Sequence, residues 1–223
     1  MSREVTAEAL GTALLLYVVV GSGIAAETLG DDPAVQLLAH ALVVGLGLGV
    51  IIAMLQTVSG SHFNPAVTVG FWRSGDVDPA MGARYVVAQL GGAVIGVVLA
   101  HVSYGTAAMS ISDNIRSGAG LVLAEALATF VLVLVILSLV RTGRSSLVPF
   151  AVGGWVAAIV FATSSTGFAN PAVTIARVFT DSYTGIAPAS VVGFLTAQLL
   201  AGFAAAPVAS LLFPDPVPAT PAR

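Results

Sequence analysis

Cysteine is absent from the 223-residue chain, which excludes disulfides, thiol catalysis and thiolate-bound metals. Lysine is absent as well. All eight basic residues are arginine, and the formal charge of −3 carries no nucleic-acid signal. Three histidines in all give little from which to build a histidine metal centre. No Ser/His or Asp/Asp pairing stands at a spacing fit for hydrolysis, and nothing calls for a cofactor, so the chain reads as a non-enzyme. Charged residues are only 9% of the chain, hydrophobic ones 57%, and mean hydropathy is +0.98. That composition is far outside the soluble range and places the chain in a lipid bilayer. Its wealth of Ala, Gly and Val beside all-arginine basic residues points to a GC-rich bacterial genome, hence a bacterial inner membrane.

What is present is a series of long apolar runs. A hydrocarbon core of about 30 Å takes roughly 20 apolar residues as helix. Runs of that kind lie near Val5–Ala26, Ala34–Val58, Pro79–Val102, Gly118–Val140, Leu147–Thr163 and Ala187–Phe213. The first begins almost at once and is followed by five others, so it reads as a span rather than a cleaved signal. Two shorter segments, Asn64–Arg73 and Asn170–Thr180, are each about half a bilayer long. Both open on the same pentapeptide, Asn-Pro-Ala-Val-Thr. Asn caps a helix and Pro fits its first turn, so each is a helix start. Helix starts at mid-membrane are tolerated only where the backbone is buried in protein or lines a watery cavity.

The chain also repeats. Ala7-Glu8-Ala9-Leu10-Gly11-Thr12 returns as Ala124-Glu125-Ala126-Leu127-Ala128-Thr129, and Ala88-Gln89-Leu90 as Ala197-Gln198-Leu199. Three spans per half make the second half inverted relative to the first, an arrangement that points to a solute path at the midplane. The expected fold is all-α: six transmembrane helices and two re-entrant half-helices in one channel domain over residues 1–213. Repeat one covers about 1–110 and repeat two about 118–213, with a Pro-rich tail at 214–223. Arginine placement puts both termini in the cytoplasm. Arg3, Arg73, Arg84, Arg141, Arg144 and Arg223 then lie inside, against Arg116 and Arg177 outside.

These residues resemble the aquaporins and glycerol facilitators, the major intrinsic proteins. The Glu-x-x-Gly-Thr start, the block Ser59-Gly60-Ser61-His62-Phe63-Asn64-Pro65-Ala66-Val67-Thr68 and the second Asn170-Pro171-Ala172 carry the resemblance. It implies a homotetramer with one narrow pore per subunit and small neutral solutes as passengers. Asn64, Pro65, Ala66, Asn170, Pro171 and Ala172 would form the pore centre, each Asn capping its helix and offering an amide N–H to the lumen. The family usually continues the second motif with arginine; here the residue is Val173. By the family's spacing the other selectivity-filter positions fall on Val44, Ala158 and Gly167, which implies a wide, apolar filter. The stretch from Thr166 to Arg177 resembles the bacterial branch tied to arsenic-resistance operons, implying As(OH)3 beside glycerol, water and urea.

Other polar residues carry two readings each. Glu8 and Glu125, ionisable inside spans, either couple protons or support the re-entrant loops; their repeat-related positions favour support, with Gln89 and Gln198. His62 braces its loop rather than gating the pore. His40 and His101, near span ends, read as satisfied interfacial histidines. Arg177, one turn beyond Val173, either guards an outer vestibule or snorkels or pairs with Asp181. Gly91, Gly92 and Gly96, like Gly45 and Gly49, read as close helix packing. The rival to a passive channel is a secondary transporter, since inverted repeats and broken helices occur there too.

Overall fold

The computed structural model describes residues 2–214, and the Pro-rich tail expected from residue 214 lies, beyond Pro214 itself, outside the described residues. Among the described residues six helices are long and apolar enough to cross a membrane. They are α1 (Arg3–Leu29), α2 (Pro33–Ser59), α4 (Pro79–Ser103), α5 (Ala119–Arg141), α6 (Val148–Ala162, entered through a 3-10 turn at Ser145–Leu147) and α8 (Pro188–Leu212). The half-helices are α3 (Pro65–Ser74) and α7 (Pro171–Ala176). The second half-helix is shorter than expected: after six residues it tightens into a 3-10 turn over Arg177–Phe179. Helix starts follow local chemistry. Asp32 and Asp78 accept the first N–H groups of α2 and α4, and each is followed by a proline at the first helical position.

Without a hydrophobic force between helices in lipid, tight packing needs small residues at the crossings. Gly92 and Gly96 of α4 lie against the backbone of α1: a Cβ there would meet the carbonyls of Ala9 and Ala13 at 2.1 and 2.2 Å. Gly45 of α2 and Gly153 of α6 press on each other's carbonyls in the same way. Gly91 departs from the sequence expectation. No atom lies within 4 Å of where its Cβ would be, because two adjacent helical residues point about 100° apart and cannot both face α1.

This contrast gives a clean test. Gly92→Ala forces a methyl onto the Ala9 carbonyl and should lower the thermal midpoint of the purified protein by several degrees, a cost of about 1–3 kcal/mol. Gly91→Ala, one residue away, should leave the midpoint unchanged or slightly raised. Equal melting of the two variants would mean that the α1–α4 contact is not set by the glycine face.

Candidate functional site

Two fully buried carboxylates hold the middle of the protein. Glu8 accepts from Ser59 Oγ at 2.7 Å, the N–H groups of His62 and Phe63 at 2.9 and 2.7 Å, and Gln89 Nε2 at 2.8 Å. Those four bonds fill the acceptor sites of a carboxylate. Glu125 repeats the pattern with the N–H groups of Phe168 and Ala169 at 2.9 and 2.8 Å and with Gln198 Nε2 at 2.6 Å. Glu8, saturated in this way, has no free oxygen for a travelling proton, and Glu125 is engaged by three donors of the same kinds, which favours support over proton coupling. The loops it holds are strained. Gly60, Ser61 and Phe63 have positive φ, and so do Thr166, Gly167 and Ala169, at the same three offsets before each asparagine.

The two half-helices meet at their starts. Asn64 Oδ1 accepts from Ala66 N–H at 2.9 Å, and Asn170 Oδ1 accepts from Ala172 and Val173 at 2.9 and 3.3 Å. Each amide then reaches across the repeat: Asn64 Nδ2 donates to the Ala169 carbonyl and Asn170 Nδ2 to the Phe63 carbonyl, both at 2.8 Å. One N–H of each amide is therefore spent on the opposite loop, which leaves one for a solute. Pro65, Ala66, Pro171 and Ala172 are buried in the first turns behind them.

Two small cavities, of about 50 and 30 Å³, share Asn64 and Asn170 as lining residues. Their walls are residues four apart on four helices. On α2 these are His40, Val44, Leu48 and Ile52; on α6, Val148, Val152, Val156 and Val160. Leu15 and Val19 of α1 and Leu132 and Ile136 of α5 complete them. Spacing by four keeps a residue on one helix face. Val44, Gly167 and Val173, three of the four expected filter positions, line the first cavity.

Ala158 does not. It is exposed on the outer side of α6, while Val156 and Val160 face the cavity, because a step of two residues turns a helix by about 200°. His62 lines the second cavity and also braces its loop, with Nδ1 3.1 Å from Thr68 Oγ1 and the ring stacked on Phe71.

Arg177 neither snorkels nor pairs with Asp181. It is buried, its Nε donates to the Thr184 carbonyl, and its guanidinium lies 3.4 Å from the centre of the Phe168 ring. The Asp181 carboxylate instead accepts the Asp113 N–H at 3.3 Å. The loop carrying Thr184 is tied down by Arg116, whose Nε and Nη2 donate to the carbonyls of Gly185 and Tyr183 at 2.8 and 2.9 Å. Burial, opposed by Arg116 and Arg177, pushes the Tyr183 phenol above its ordinary range. His40 was expected at the interface, yet it lines the first cavity. The one signal in the sequence was its place on the four-residue stripe with Val44 and Leu48.

The model for the family described as Major intrinsic protein matches residues 1–169. The chain belongs to the major intrinsic protein family. An aquaglyceroporin, AqpS, from Rhizobium meliloti is 43% identical over 200 residues, covering 90% of this chain and 85% of that one. Aquaporin PIP2-4 from Zea mays is 34% identical over 210 residues, with 86% and 69% covered. A solved structure, the aquaglyceroporin from Plasmodium falciparum, superposes with a TM-score of 0.74 over 95% of this chain and 94% of that one; at 24% identity it bears on the fold alone. Like other major intrinsic proteins, the chain is a passive, multi-pass membrane channel for small neutral solutes and not an enzyme. That membership sets aside the secondary transporter.

Glu125→Ala should strand the N–H groups of Phe168 and Ala169, at about 1–3 kcal/mol each. Detergent-solubilised protein should melt markedly lower, and Glu125→Gln, which keeps one acceptor oxygen, should fall between the two. An alanine variant as stable as the wild type would remove the carboxylate from its supporting role.

Proposed function

We propose that the pathway admits hydroxylated neutral solutes bulkier than water, glycerol and As(OH)3 among them, with water and urea as smaller passengers. One observation carries this: Val44, Val156, Val160, Gly167 and Val173, all small or aliphatic, line the first cavity. The aquaglyceroporin name of the Rhizobium meliloti relative supports the same class.

Asn64 and Asn170 are the pore centre. A solute oxygen that accepts from both amides cannot also accept a proton passed along the file, which breaks proton conduction. Two half-charges at the helix starts, roughly 5 Å from an ion at an effective dielectric near 20, oppose a cation by about 3 kcal/mol. Loss of hydration between aliphatic walls adds to that barrier. Arg177 adds fixed positive charge at the outer vestibule. The arginine asymmetry supports cytoplasmic termini in a bacterial inner membrane. Members of the family are generally tetramers, which supports a homotetramer here, with one pore per subunit.

Stopped-flow vesicle assays test the proposal. Glycerol uptake should persist after proton and sodium gradients are collapsed and should not saturate; uptake that vanishes with a gradient overturns it. Val173→Arg should slow glycerol and arsenous acid far more than water, since the guanidinium narrows a ring that is otherwise aliphatic. An equal effect on all solutes, or none, would take Val173 out of the lumen.

A further inference from the structure

Of the twelve residues that α1, α2, α5 and α6 present to the two cavities, eleven are aliphatic and the twelfth is His40. It stands one helical turn beyond Val44 on α2. Arg177 stands one turn beyond Val173, on the same side of the asparagine pair, and lines the same cavity. Both side chains are almost wholly buried, with 3 and 4% of their surface accessible.

Each is held in place by groups that leave its chemistry facing the cavity. His40 Nδ1 lies 2.8 Å from Ser22 Oγ, and that hydroxyl donates to the Val19 carbonyl at 3.2 Å. In the tautomer that this serine bond to Val19 favours, Nδ1 donates to Ser22 Oγ and Nε2 keeps its lone pair. The edge of Tyr183, 5.9 Å away between centroids, fixes the ring plane. Arg177 uses Nε on Thr184 and rests on Phe168; among the described residues no carboxylate pairs with it, so its other donors are unspent.

We infer that His40 and Arg177 form a polar constriction one turn outside the apolar ring, a binding point for the hydroxyl groups of neutral polyols and hydroxylated metalloid acids. A solute O–H donates to His40 Nε2 while an oxygen of the same solute accepts from Arg177. The pair offers an acceptor and the remaining guanidinium donors in a cavity lined also by Val19, Val156, Val160 and Thr166. It rests on the proposed passage of hydroxylated solutes and adds the residues that recognise them.

The test is the ratio of glycerol to water permeability of the full chain in proteoliposomes. His40→Leu keeps side-chain bulk and removes the acceptor; the ratio should fall about fivefold, the worth of one hydrogen bond. His40→Gln restores a polar atom at similar reach and should return the ratio to within about twofold of wild type, which a packing role would not do. Arg177→Leu should act like His40→Leu, and the double variant should lose little more than either, because the two act on one solute. A wild-type ratio in His40→Leu overturns the inference, as does a His40→Gln variant no better than leucine, or losses that multiply in the double variant. Wild-type vesicles without gradient-independent glycerol flux would overturn the channel's proposed solute class, and this inference with it.

Discussion

Irregular backbone at mid-membrane must find every hydrogen-bond partner inside the protein, and this requirement organises the rest of the molecule. The two loops before Asn64 and Asn170 are such backbone, wound through left-handed conformations that non-glycine residues adopt at a cost. Their N–H groups go to Glu8 and Glu125, and their carbonyls to the asparagine amides of the opposite loop. Gln89 and Gln198 link each carboxylate to Thr68 or Thr174 on the following half-helix. The two carboxylates thus stand behind the residues that line the cavities, as support, and the asparagine amides and aliphatic stripes face the cavities.

In the proposed reading that division of labour lets neutral solutes pass and holds ions back. Aliphatic walls spaced by four offer a passing ion nothing to replace its water, whereas a polyol loses less on entering and meets the asparagine amides midway. Gly167 and Val173 bring backbone and a small side chain to the first cavity. In the proposed reading polar selection falls to His40 and Arg177, which touch Tyr183 and Thr184 of one loop.

The helices were legible because span length and caps are local properties. Asp32-Pro33 and Asp78-Pro79 mark two starts, and apolar runs mark the rest to within a few residues. Glu8, Glu125 and both asparagines were legible because the repeat exposed them twice. Ala158 was misplaced because its position was counted back through the turn at Thr163–Thr166, where loop length need not follow helical spacing. The stripe Val148, Val152, Val156, Val160 carries the same information without crossing a loop. His40 escaped for another reason. Its partners, Ser22 and Tyr183, stand far apart in the chain, and only the folded loop brings them to one ring. Arg177 offered a choice between a buried and a pairing role, and the deciding group, Phe168, is held by a loop whose course no local pattern predicts.

The crossed amide bonds also bear on how the chain is made. Asn64 cannot donate to Ala169, nor Phe63 accept from Asn170, until the second loop has been synthesised more than a hundred residues later. During that interval the first half-helix must wait with an unmatched carbonyl and amide, in water, against the insertion machinery, or at the membrane surface. Neither half is a finished unit on its own, and a ribosome stalled between them would leave in the membrane a wedge with no counterpart.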